Sequence, residues 1–170
     1  NAAEFLPRKS FEETSWADFQ TELSACLRSA VNAIQAALPD MCARGTSASG
    51  GKAAGWGRII NITASMVQRP VPRYAPHLAA KAALWAITRS LALEFAPFGV
   101  TVNAVSPGVV ATEANLALPE KALAPLVRRT PIQRMATVEE VAAAVVFLAS
   151  PEAGFITGVH LPVDGGLVVA

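Results

Sequence analysis

Residues 58–63 read Arg-Ile-Ile-Asn-Ile-Thr, and residues 100–108 read Val-Thr-Val-Asn-Ala-Val-Ser-Pro-Gly. Both are short, apolar and β-branched, as in a strand covered on both faces. The first predicts a central parallel strand, and the second a strand broken by Pro107 and Gly108. Between them, residues 78–96 are rich in Ala and Leu and stop at Pro97 and Gly99, the order expected where a helix ends. Upstream, Phe19, Leu23, Cys26, Leu27, Ala30, Val31, Ile34 and Leu38 recur at spacings of three and four, which predicts one long amphipathic helix over 16–43 with Ser15 as its cap. Downstream, 112–129 reads as a loop carrying short helices. Thr137 with Glu140 has the capping-box spacing and opens a helix through Val141, Val145, Val146 and Leu148 to Pro151, and His160 to Val163 forms a last short strand.

Helix, strand, helix, strand, helix, strand is the order that builds a parallel sheet with helices on both faces, so the chain is α/β. Three strands are few for such a sheet, and an open edge at the first needs a cover. The 170 residues make a single domain, 1–170, with residues 45–57 read as a flexible loop of Gly, Ser and Ala.

The composition excludes several classes. With 52% hydrophobic and 16% charged residues the chain can bury a core, so disorder is excluded as its overall state. A formal charge of +1 offers nothing to nucleic acid or an anionic membrane surface. Cys26 and Cys42 make neither a disulfide framework nor a metal cluster. Lacking an apolar run of membrane-spanning length and a signal-peptide pattern, the chain is expected to be cytoplasmic. It opens at Asn1 without an initiator Met, as a processed product or a piece of something longer would.

Several stretches together resemble the short-chain dehydrogenases/reductases, near the 3-oxoacyl carrier-protein reductase branch. They are Gly57 to Ile62, Lys81-Ala82-Ala83-Leu84, Thr88 to Ala92, Gly99-Val100-Thr101-Val102-Asn103, Pro107-Gly108 with Thr112, Phe147 to Ser150, Ile156-Thr157-Gly158 and Val163 to Gly166. The resemblance implies a Rossmann-like, doubly wound parallel sheet. It also implies that the glycine-rich turn and ribose-binding acid that hold a dinucleotide lie upstream of the segment matched by Asn1-Ala2-Ala3, so the N-terminal cofactor-binding half is expected to be absent from this sequence.

The catalytic positions are carried over one at a time. The family's Tyr, four residues before its Lys, falls on His77; its Ser, thirteen residues before the Tyr, falls on Ala64; its helix Asn falls on Cys26; the Lys is kept as Lys81. Ser65 stands beside Ala64 and, on an extended chain, points the other way. A phenol near pKa 10 is brought into working range by an adjacent Lys cation, whereas an imidazole beside such a cation is mostly neutral and a poor acid toward a developing alkoxide. Tyr74 is the sole tyrosine, and Pro76 places it in the loop before the helix. Pro107, Gly108 and Thr112 are the expected remnant of a nicotinamide wall.

Three functions are therefore carried forward. The first is a catalytically silent subunit, a pseudoenzyme without a cofactor of its own, assembling with itself or with an active homologous oxidoreductase, for example as a heterotetramer. The resemblance implies contacts through the two long helices, 16–43 and 78–96, and through the last helix and C-terminal strand, and the apolar tail from Leu167 to Ala170 suits such a contact. The second is an active oxidoreductase using NAD or NADP on a carbonyl, an alcohol or an acyl thioester through an atypical site. The third is a cofactor-free lyase or isomerase using His77 and Lys81.

Overall fold

The computed structural model describes residues 8–43 and 57–170, so the expected loop at 45–57, apart from Gly57, lies outside the described residues. The long N-terminal helix is present but interrupted: α1 (Trp16–Glu22) runs through a π-helical turn (Leu23–Arg28) into α2 (Ser29–Ala43). Ser15 caps it as expected. The Ser15 hydroxyl accepts from the Asp18 amide at 3.3 Å, and the Asp18 carboxylate accepts from the Ser15 amide at 2.8 Å. Lys9 adds a bond to Asp18 of 2.8 Å, and these donors hold the Asp18 carboxyl at a pKa of about 2.

The strands β1 (Gly57–Ile62), β2 (Val100–Pro107) and β3 (His160–Val163) form one parallel sheet in the order β1-β2-β3, with Gly57 opposite Val100 and Ala104 opposite His160. Among the described residues β2 is the middle strand and β1 stands at the sheet's open edge, the place expected for the first of three strands though not for a central one. Burial agrees: β1 is fully buried only at Gly57, Ile59 and Asn61, while β2 is buried at every position from Val100 to Ser106.

The crossover helices α3 (Ala75–Phe95) and α6 (Val138–Ala149) lie on opposite faces. Ile59, Val100 and Val102 pack against Ile34 of α2 and Ala92 and Phe95 of α3. On the other face Val105, Ile60 and Ile62 meet Leu148, Val141 and Val145 of α6. One buried polar bond, Asn61 Nδ2 to Thr88 Oγ1 at 2.9 Å, fastens β1 to α3. α3 starts earlier than residue 78 because Pro76 sits in its first turn, where a proline's missing N–H costs nothing, and Tyr74 is left at its N-cap. Gly99 takes a left-handed φ of 73° to turn the chain into β2. The 112–129 stretch holds α4 (Glu113–Leu116) and α5 (Glu120–Arg128), and Thr137 with Glu140 forms the expected capping box. No helix among the described residues is long and apolar enough to cross a membrane.

Candidate active site

At the C-terminal ends of β1 and β2 the chain encloses a cavity of about 470 Å³. Open parallel sheets place their ligands at this end of the strands. Its wall includes Asp18 and Glu22 of α1, Ala64 and Ser65 after β1, Tyr74, Pro76 and His77 at the start of α3, and Pro107 and Gly108 at the end of β2. Met66, Val71, Leu118, Ala122, Leu126 and Leu167 make much of the lining apolar, and Arg8, Lys9 and Arg73 contribute cations.

Of the residues singled out in the sequence, Ala64, His77, Pro107 and Gly108 are brought together here. Ser65 joins them, contrary to the expectation that it points away. Strand alternation ends at Thr63, whose amide donates to the Val105 carbonyl at 2.8 Å, and the chain then curls into a 3-10 turn at Ser65–Val67. Lys81 lies one turn beyond His77, 4% exposed, and its ammonium donates to the Ile62 carbonyl at 2.8 Å. Tyr74 reaches the cavity from outside the helix, with the Arg8 guanidinium over its ring at 4.9 Å.

Cys26 and Thr112 stand apart from the cavity wall. Cys26 is wholly buried in the π-helical turn, and burial pushes its thiol pKa up while the nearby Lys81 cation opposes the shift. Thr112 caps α4, its hydroxyl accepting from the Asn115 amide at 3.3 Å.

The residue that sequence reasoning missed is Glu22. It is 2% exposed, and its Oε2 lies 3.1 Å from His77 Nδ1 and 3.7 Å from the Cys26 thiol that donates to it. The imidazole expected to have only a lysine for a neighbour is instead fastened to a carboxylate. The signal was available: Glu22 falls three residues after Phe19 and four before Cys26, a charge inside an otherwise apolar stripe. Charges are rarely buried unless partnered.

Gly108 has a packing reason to be glycine. A Cβ there would lie 2.8 Å from Asp164 Cα and 2.9 Å from its Cβ. Pro107 and Gly108 both line the cavity at the end of β2. Among the described residues there is no glycine-rich turn entering a helix to take a dinucleotide's phosphates.

A parallel sheet covered on both faces by helices, with a cavity at the C-terminal end of its strands, is the architecture of the doubly wound α/β folds. Residues 1–168 match the family model described as enoyl-(acyl carrier protein) reductase. The chain is 37% identical over 167 residues to the acetoacetyl-CoA reductase of Allochromatium vinosum, covering 98% of this chain and 64% of that protein. It is 40% identical over 115 residues to the 3-oxoacyl-acyl-carrier-protein reductase of Haemophilus influenzae, covering 68% of this chain and 48% of that one. In shape it is similar to the 3-oxoacyl-acyl-carrier-protein reductase from Brucella melitensis, with a TM-score of 0.89 at 27% identity, over 100% of this chain and 62% of that one. The protein ElxO with NADP bound gives 0.88 at 26% identity, over 100% of this chain and 66% of that one. The chain belongs to the short-chain dehydrogenase/reductase family, and it spans just under two thirds of the length of the acetoacetyl-CoA reductase it matches.

Proposed function

We propose that the chain is the substrate-side portion of an NAD(P)-dependent reductase acting on a carbonyl, best a 3-oxoacyl thioester, with His77 in the place of the family's tyrosine. The observation that carries this reading is His77 on the cavity wall, with its Nδ1 3.1 Å from the buried Glu22 carboxylate. The reduced nicotinamide, when bound, supplies a hydride to the carbonyl carbon. His77 Nε2 then gives its proton to the carbonyl oxygen, and in the reverse direction takes the proton of the alcohol. Pro107 and Gly108 would flank the nicotinamide; the residues that would hold its phosphates are not among those described. Lys81, held by the Ile62 carbonyl, supports the floor behind His77. The apolar lining accepts an acyl chain, and Arg8, Lys9 and Arg73 suit an anionic carrier. The relatives named for acetoacetyl-CoA and 3-oxoacyl carrier-protein substrates support the same class.

A second reading is the silent subunit paired with an active homologue. It is favoured by Ala64, which offers a substrate oxygen no hydroxyl. Under either reading α3 is a candidate contact, with Ala79, Ala86 and Leu93 exposed on one helix. The deciding assay presents the full protein with acetoacetyl and longer 3-oxoacyl thioesters and each reduced cofactor. Turnover lost by at least about 10²-fold in His77→Ala supports the reductase. Absence of turnover, or turnover indifferent to His77, overturns it.

A further inference from the structure

The cavity wall holds a buried acidic group that the family resemblance did not assign. Glu22 is 2% exposed, and a carboxylate taken so far from water is retained only where partners compensate. Its partners are His77 Nδ1 at 3.1 Å and the Cys26 thiol at 3.7 Å, and Cys26 in turn interacts with the buried Lys81. The four side chains come from two helices, α1 with its π-helical continuation and α3, which pack against each other. The π turn begins at Leu23, immediately after Glu22, and single π turns recur at functional sites because they redirect a side chain without ending a helix.

We propose that Glu22 is the positioning residue for His77 and that the two form a carboxylate–imidazole dyad in place of the family's tyrosine arrangement. This rests on the reductase reading above and goes beyond it in assigning how the replacement works. A carboxylate carries no proton to donate, so the ring must present Nδ1–H to it, and the tautomer is thereby set. Nε2 is then the nitrogen facing the cavity. In the alcohol-oxidising direction the neutral ring takes the alcohol proton on Nε2. In the reducing direction the doubly protonated ring releases that same proton to the carbonyl oxygen, and Nδ1–H stays with Glu22 throughout. No proton passes to Glu22, so the balance closes on His77 alone. Lys81 and Cys26 sit behind this pair, and Asp18, Lys9, Arg8, Arg73 and Tyr74 are the other charged or titratable groups around the cavity.

The test is nitrogen NMR of the His77 ring in the full chain, followed across pH and read where the spectrum shows the ring neutral, beside steady-state kinetics. Wild type is expected to show the Nδ1–H tautomer. Glu22→Leu should lose that preference and drop kcat about tenfold to 10²-fold with KM little changed, the signature of an interaction acting on the chemical step. Glu22→Gln keeps an acceptor oxygen and should restore the tautomer. If Glu22→Leu fails to fold by far-UV circular dichroism, the wild-type tautomer and the Glu22→Gln variant decide the matter. A neutral wild-type ring protonated on Nε2, or a folded Glu22→Leu chain with unchanged tautomer and kcat, overturns the proposal. A Glu22-dependent tautomer in a chain without turnover removes the reductase reading and leaves the positioning role standing. Turnover that needs His77 but ignores Glu22 does the reverse.

Discussion

Gly108 tests whether the cavity wall is shaped by packing or by a ligand, and the substitution is Gly108→Ala. Gly108 does not have a positive φ, so alanine meets no backbone penalty there. The cost comes from contact alone: the new Cβ would stand 2.8 Å from Asp164 Cα and 2.9 Å from its Cβ. Asp164 cannot withdraw freely, because its carboxylate accepts from the Gly166 amide at 2.9 Å and the Val168 amide at 3.0 Å. Gly108 is itself tied to β3 through its amide and the Val163 carbonyl at 3.0 Å. Forcing a methyl into a closed contact of this kind costs about 1–3 kcal/mol. For a chain of this size that lowers Tm by roughly 2–12 °C. Thermal unfolding followed by far-UV circular dichroism in the absence of cofactor reads it directly. A Gly108→Ala chain melting with wild type would refute the packing argument, and lost cofactor binding in that same chain would assign the glycine to the ligand.

Asn103 is fully buried and bridges β2 to the segment that leads into β3, donating to the Ile156 carbonyl at 2.8 Å and accepting from the Val159 amide at 3.1 Å. Asn103→Ala orphans both groups and should cost about 2–6 kcal/mol in urea denaturation; a loss below 1 kcal/mol would mean that water or a shifted backbone replaces them. His160 stacks on Trp85 with ring centroids 4.6 Å apart, contacts Thr63 Oγ1 through Nε2 at 2.7 Å and leaves Nδ1 buried without a partner, and burial lowers its pKa. The folded chain therefore resists taking that proton while the unfolded chain accepts it at about 6.5, so this contribution is whole above pH 6.5 and is lost as pH falls from there toward the folded value. Wild-type Tm should drop more between pH 7 and pH 5 than that of His160→Gln, and equal drops would refute the assignment. Ala64→Ser returns a hydroxyl to the cavity wall and should raise kcat/KM for a 3-oxoacyl thioester about tenfold, the worth of one hydrogen bond at the reacting oxygen; an unchanged value would show that the substrate oxygen does not approach residue 64.

The order of elements was legible in the sequence because each depends on neighbours close along the chain. Ser15, Thr137 with Glu140, and Pro97 with Gly99 are local instructions, satisfied by backbone groups within a turn. The apolar β-branched runs at 58–63 and 100–106 likewise set their own strands. Composition alone did not order the strands, because β1 and β2 carry similar residues; the alternation of elements along the chain put the first strand at an open edge, where β1 lies among the described residues. The site divides in the same way. The family resemblance, counted from Lys81, marked Ala64 and His77, and both line the cavity because one follows β1 directly and the other lies in the first turn of α3. Ser65 was misjudged because a 3-10 turn ends the alternation that an extended chain would impose. Thr112 lies off the cavity wall, its hydroxyl capping a four-residue helix. Glu22 lies fifty-five residues from His77 along the chain, and nothing local joins them. Only the packing of α1 on α3 brings that carboxylate to the imidazole, because a buried charge finds its partner across the tertiary structure rather than along the sequence.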